Sequence, residues 1–291
     1  MNITVVIPTL NGAATLPAQL FALDRQLAAP PFSVIVVDNG STDDTARIAK
    51  DFAATQFSVQ VIDEPVRGIN SARNAGCAAA PDGAVLLCDA DDEVHPGWLA
   101  AMTGALAEGC WVGGRLDYVS LNTPQVRLVW GAPDLSTYRQ VEPFVDSTFG
   151  GNCGFWRSMW EQIGRFDSSI SGTGGDETEF FMRAWGAGYR RVDVPAAVVA
   201  YRLRPGLKGV VRQRYRQGRT QVLVRALPGG ALIRYPLSAS GTRRAIAWRV
   251  LAAPKYLWRA GNRYAWLTSM ALHLGRLAGF RATAGPATPS R

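Results

Sequence analysis

Residues 85–92 read Val85-Leu86-Leu87-Cys88-Asp89-Ala90-Asp91-Asp92. Four apolar residues run straight into three carboxylates. A continuous apolar run this short fits a strand buried on both faces, and its end opens onto an acidic cluster. Upstream the same pattern recurs. Ile3 to Ile7 is an apolar run closed by Pro8, and 12–28 carries Leu16, Leu20, Leu23 and Leu27 at helical spacing. Val34 to Val37 reads as a second buried strand. Ser41-Thr42-Asp43-Asp44 then supplies hydroxyls and carboxylates that favour a helix start. Val59 to Ile62 reads as a third strand and 70–80 as a short helix. Downstream, a helix is predicted over 96–107 and a strand over 111–119.

This alternation predicts an α/β fold with a mostly parallel central sheet flanked by helices. In such sheets ligands bind beyond the carboxyl ends of the strands. Three polar clusters fall there: Thr9 to Asn11, Asp38-Asn39 and Asp89 to Asp91. From 131 to 175 the pattern is irregular, with many Gly, Pro and aromatic residues. A helix is predicted over 178–186. Beyond Pro205 the chain reads as helical and basic, with breaks expected near Pro228-Gly229-Gly230 and at Pro254.

Charge is divided unevenly along the 291 residues. Residues 1–180 hold 10 Lys+Arg against 22 Asp+Glu, a net of −12. Residues 181–291 hold 21 Lys+Arg and one acid, Asp193, a net of +20. An acidic front half suits cation chemistry, and a basic tail suits an anionic surface. Four cysteines with no CxxC spacing, and only two histidines, leave neither a disulfide scaffold nor a structural zinc site. The N-terminus has no basic n-region or cleavage site, and the apolar stretch 264–275 is far below the ~20 residues of a membrane span. A soluble, cytoplasmic protein is the expectation.

Each polar cluster has a functional and a plain reading. Asp89 and Asp91, as alternate strand residues, would share one side at a spacing of ~7 Å. Both could then approach one hard cation, Mg²⁺ or Mn²⁺, completed by a diphosphate; the plain reading is a solvated acidic turn. Asp38 could accept from a nucleobase or ribose, while Asn39 offers donor and acceptor; the plain reading is a turn and helix cap. In Arg67-Gly68-Ile69-Asn70-Ser71-Ala72-Arg73, Gly68 allows close backbone approach, and a helix start attracts phosphate. Arg73 could pair with Asp89 or with a diphosphate. Asp176, Glu177 and Glu179 crowd another helix start, where one is a candidate general base and the alternative is helix-dipole complementation. His95 and His273 have no partner nearby in sequence. No G-x-G-x-x-G or P-loop element occurs, and Cys77, Cys88, Cys110 and Cys153 read as packing residues.

Five motifs in order carry a family resemblance: Val5-Val6-Ile7-Pro8-Thr9-Leu10-Asn11, the run 36–43, Arg67-Gly68 with Ala72 to Gly76, Asp89-Ala90-Asp91, and Gly175 to Phe180. Over roughly 1–205 the chain resembles the family-two inverting glycosyltransferases of GT-A fold. That resemblance implies a nucleotide-diphosphate sugar donor and Mn²⁺ or Mg²⁺. It places Pro8, Thr9 and Asn11 along the nucleotide pocket, Asp38 and Asn39 at the base or ribose, and Gly68, Arg73 and Ala90 near the donor. Asp89 and Asp91 bind the metal and donor, and Gly151, Asn152, Cys153 and Gly154 frame the acceptor side. The family's base lies in a Glu-Asp pair, whereas this chain reads Asp176-Glu177. Register favours Glu177 and residue type favours Asp176. Asn39 stands where many relatives carry Asp, so a UDP-sugar is the first expectation rather than a fixed one. A later His-x-x-Arg of some relatives is replaced by Tyr201-Arg202-Leu203-Arg204.

The expected organisation is a nucleotide-sugar-binding catalytic domain over 1–205, a basic, aromatic helical extension over 206–282 and a disordered tail over 283–291. In the extension, Trp248, Leu251, Tyr256, Trp258, Tyr264 and Trp266 interleave with Arg249, Lys255, Arg259 and Arg263. Such interleaving suits a helix on an anionic membrane surface or a subdomain packed on the catalytic domain. No nucleic-acid partner is expected. The reading is an inverting hexosyltransferase at the inner membrane face, acting on a lipid-linked or glycan acceptor of the cell envelope. Its rivals are a sugar-phosphate nucleotidyltransferase and a non-catalytic membrane-associated protein that kept the fold.

Overall fold

The computed structural model describes residues 1–131, 149–170, 176–227, 230, 237–258 and 260–284, the side chains of 176, 257, 260 and 284 excepted. The chain opens β1(Asn2–Thr9) α1(Leu16–Leu23) β2(Phe32–Asp38) α2(Thr45–Asp51) β3(Phe57–Asp63) α3(Ile69–Ala79) β4(Gly83–Cys88). There follow β5(Glu93–Val94), α4(Trp98–Ala105), β6(Cys110–Asp117), α5(Pro124–Trp130), β7(Asn152–Trp156), α6(Arg157–Ile163), α7(Asp176–Gly186) and β8(Arg190–Ala200). Three helices close the chain: α8(Leu207–Arg225), α9(Ala239–Leu257) and α10(Ala260–Ala284).

The described strands form one sheet ordered β3-β2-β1-β4-β7-β6-β8-β5. β3, β2, β1 and β4 are mutually parallel, as the sequence predicts. Beyond β4 the sheet is mixed. β7 runs antiparallel to both β4 and β6, and β6 is parallel to β8. Alternate residues divide the core into two layers. Val5, Ile7, Val34, Val36 and Leu86 face α1 and α4 through Leu16, Leu20 and Trp98. Val6, Ile35, Val37, Val85 and Leu87 face α3, α6 and α7 through Ala72, Met159 and Phe180. Coverage on both faces explains the unbroken apolar runs. β3, at the edge, alternates between half-buried and exposed residues.

Several elements differ from expectation. α1 ends at Leu23 and leaves Leu27 exposed, because Asp24 accepts from the Thr55 and Gln56 N–H groups at 2.7 and 2.9 Å. The irregular stretch contains β7 and α6, while residues 132–148 and 171–175 lie outside the described residues. α9 runs through Pro254 instead of breaking there. α10 continues to Ala284, two residues into the expected tail, and 285–291 lie outside the described residues. No helix among the described residues is long and apolar enough to cross a membrane.

Candidate active site

β4 ends at Cys88, opposite Asn152 of β7, and the chain then turns. The Asp92 N–H reaches the Asp89 carbonyl at 3.4 Å. This turn corrects the strand-based spacing. Asp89 and Asp91 do not extend the strand, and Asp92 joins them, with carboxylate oxygens of all three within 4.8 Å of one another. Asp92 is 1% exposed. Its Oδ1 accepts from the Arg202 N–H at 2.8 Å, and its buried Oδ2 has no hydrogen-bond partner among the described residues. Burial, then the Asp89 and Asp91 charges, push the Asp92 carboxyl well above the usual range. Clustered hard oxygens, one of them buried without a donor, fit a Mg²⁺ or Mn²⁺ ion.

The turn is strapped from two sides. Gln19 Nε2 donates to the Asp89 carbonyl at 3.1 Å, and Gln19 Oε1 accepts from the Val94 N–H at 3.0 Å. Arg202 Nε donates to the Asp91 carbonyl at 2.8 Å, and its Nη2 lies 3.2 Å from Glu93. Burial raises the Tyr201 hydroxyl, and the three aspartates raise it further. Phe149 meets the Tyr201 ring edge-on at 4.9 Å.

At the neighbouring strand ends, Thr9 pairs in register with Asp38, and Asp38 with Asp63. The loops after β1 and β2 lock together. Asn11, at φ 53°, donates its N–H to Ser41 Oγ at 2.8 Å and accepts at Oδ1 from the Thr42 N–H at 2.8 Å. Gly12 N–H donates to Thr45 Oγ1, and Ala13 N–H to Asp43. Asp38 Oδ1 accepts from the Ser41 N–H at 2.9 Å. Asn39 donates to the Glu64 and Val66 carbonyls at 2.9 and 2.8 Å and accepts from the Gly68 N–H at 2.8 Å. Thr9 Oγ1 donates to the Ile7 carbonyl. The side chains of Thr9 and Asn39, read from sequence as nucleotide contacts, are committed here to bonds within and between these strand-end loops. Pro8 and Ala90 are buried, Ala90 within the core layer that faces α1.

A carboxylate that the sequence places at a helix start lies beside Arg73. Gly68, at φ 143°, opens α3. Arg73 is 3% exposed; its Nη1 lies 3.9 Å from Glu177 Oε2 and 3.3 Å from Asn70 Oδ1, over the Phe166 ring. Glu177 is thus an ion-pair partner of Arg73. Glu179 points elsewhere and pairs with Arg183 at 2.6 Å. The Asp176 side chain lies outside the described residues. A Cβ at Gly150 would strike the Arg73 guanidinium, and one at Gly151 would lie 2.6 Å from Asp89 Cγ. These glycines let β7 close directly on the cation and the carboxylate.

Two residues expected on the acceptor side have buried side chains. Asn152 is wholly buried; it accepts from Trp98 Nε1 at 2.8 Å and donates to the Arg115 carbonyl at 2.7 Å. Cys153 is wholly buried too, its thiol raised first by burial and further by the Glu177 and Asp89 charges, against the lowering effect of Arg73. All four cysteines are buried, and burial pushes Cys77 up to about 12, in keeping with packing residues. Sequence reading missed Asp92, Gln19 and the strap role of Arg202. Asp92 carried a signal in its position beside Asp91; Gln19 carried none.

A family model described as Glycosyl transferase family 2 matches residues 4–164, more than half of the chain. The chain belongs to this family. An uncharacterized glycosyltransferase of Mycobacterium tuberculosis is 38% identical over 129 residues, 44% of this chain and 55% of that protein. A PGL/p-HBAD biosynthesis glycosyltransferase of the same species is 38% identical over 93 residues, 32% of this chain and 36% of that one. The chain thus spans about half, or less, of the length of these curated relatives. In fold it is similar to a mannosyltransferase from Pyrobaculum calidifontis solved with GDP-Man and Mn²⁺. That likeness has a TM-score of 0.65 at 21% identity and covers 95% of this chain and 85% of the other. The family-2 glycosyltransferase described here accordingly has the GT-A fold, with a helical extension at its C-terminus.

Proposed function

We propose that the protein transfers a sugar from a nucleotide-diphosphate sugar, a UDP-sugar first, to a hydroxyl of a lipid-linked or glycan acceptor in a single inverting displacement. The observation that carries this reading is the convergence of Asp89, Asp91 and Asp92 at the exit of β4, with a buried carboxylate oxygen left for a cation. The GDP-Man and Mn²⁺ bound by the Pyrobaculum enzyme support the same donor class. When bound, the divalent ion would neutralise charge growing on the departing diphosphate. Asp38, at the end of β2, serves the base or ribose. Gly150 and Gly151 admit the donor close to Arg73 and Asp89. The acceptor proton passes to a carboxylate at the start of α7 as the hydroxyl attacks the anomeric carbon. Asp176 is the proposed base, with Glu177 held by Arg73 as its neighbour. The inner membrane face is the proposed place of action, with the basic extension toward anionic lipid.

A donor screen tests the reading. UDP-, GDP- and dTDP-sugars are incubated with acceptor extract, with and without Mn²⁺, and nucleotide diphosphate is measured. Metal-dependent release from one donor is the expected outcome. Pyrophosphate release from a nucleoside triphosphate and a sugar phosphate would instead make the protein a nucleotidyltransferase.

A further inference from the structure

α9 has one face fixed and one face bare. On the fixed side, Arg249 Nε donates to Ser269 Oγ and Trp266 Nε1 donates to the Arg249 carbonyl, both at 2.8 Å, joining α9 to α10. On the other side, Trp248 and Leu251 are spaced to share a stripe, and Trp258 continues it at the C-cap. Their exposures are 57%, 81% and 89%, and Val250 beside them is also exposed. Single exposed apolar residues are ordinary, but two tryptophans and a leucine bared along one stripe mark a partner surface.

The charge around the stripe says which partner. Arg243, Arg244 and Lys255 are exposed beside it. After Asp193 the remaining 98 residues contain no acid. Against a second copy of the same face, these cations would meet like charge. Against an anionic phospholipid leaflet they meet phosphates, while Trp and Leu enter the headgroup boundary. Because no described helix is long and apolar enough to cross a bilayer, the helix would lie in the surface plane. Pro254 fits that placement. It cannot donate to the Val250 carbonyl, and both residues are exposed, where water or headgroups can serve that oxygen. The layer and the segment that leads into it also meet α5. Trp130 Nε1 of α5 donates to the Arg204 carbonyl at 3.0 Å, and Gln125 Nε2 reaches the Tyr264 hydroxyl at 3.4 Å.

We infer that α9 is a membrane-docking helix that seats Trp248, Leu251 and Trp258 in an anionic leaflet, with Arg243, Arg244 and Lys255 on its phosphates. This deepens the membrane part of the proposed function and rests on it. The test is sedimentation of the full chain with phosphatidylcholine vesicles with and without 30% phosphatidylglycerol (roughly the anionic content of a charged leaflet). The triple variant Trp248→Ser/Leu251→Ser/Trp258→Ser is measured beside wild type. Wild type is expected to bind the anionic vesicles, and less at high salt. The triple variant is expected to lose about a hundredfold in partitioning, with an unchanged melting point, since these side chains are exposed. If wild type binds and the triple variant binds equally, α9 is not the docking face, although the membrane reading stands. If wild type does not bind, both fail. A dimer in solution that the triple variant dissociates would assign the face to a second copy and overturn the inference.

Discussion

Asp92 joins a charged cluster while one of its oxygens has no donor, and that combination has a measurable cost. Three carboxylates within 4.8 Å repel one another, and burial of Asp92 strengthens the repulsion. Asp92→Asn should therefore raise the melting point of the metal-free protein and reduce the further rise on adding Mn²⁺. A fall in the metal-free melting point would contradict this account of the turn. Asp176 and Glu177 are separable in the same way. Asp176→Asn should lower kcat by about 10²–10⁴-fold with donor affinity nearly unchanged. If Glu177→Gln is the variant with that signature, Glu177 is the base and the residue-type argument is wrong. Asp89 and Asp91 were legible because an apolar run ended in them. The commitments of Asn39 and Asn152 were not, because a polar residue at a strand end looks the same whether it faces a ligand or a neighbouring loop.

β7 was hidden by its own composition. Gly154 interrupts the pattern because a Cβ there would collide with Leu86 and come within 3.0 Å of Val112. The same device joins two helices that the sequence showed only as basic and apolar. A Cβ at Gly275 would strike the Tyr215 carbonyl, and one at Gly218 the Leu272 carbonyl, so α8 and α10 touch backbone to backbone. Gly275→Leu should destabilise this pair by about 1–3 kcal/mol or more. The expected result is a lower thermal midpoint with the Mn²⁺ response of the acidic turn retained. The strap from β8 to the turn is also a matter between elements. Arg202→Ala removes the side-chain donor to the Asp91 carbonyl and the ion pair with Glu93 but keeps the backbone bond to Asp92. Mn²⁺ affinity should fall about 10–100-fold, as for other supports of metal ligands. Titration calorimetry showing no change would remove Arg202 from the site.

Across the molecule, a sheet whose first 180 residues are acidic and an acid-free helical layer are fused, a division visible in the charge counts but silent about how the layers meet. His273 lies where the packing of that helical layer depends on pH. It is buried on α10, with Nδ1 2.8 Å from the Ser269 carbonyl, a geometry that suits a neutral ring donating there. Burial first, then Arg249 and Arg276, hold its pKa below the usual 6.5. The unfolded chain takes up the proton as pH falls through about 6.5, while the folded chain resists. The contribution of His273 to stability is therefore complete above that value and is lost progressively below it. His273→Gln removes the titration while leaving an amide donor for Ser269. With both proteins saturated with Mn²⁺ to keep the acidic turn charged, the wild-type melting point should fall relative to that of the variant between pH 7.5 and pH 5.5, pH values about one unit either side of the free imidazole. Parallel curves over that range would mean that the fold leaves His273 free to charge.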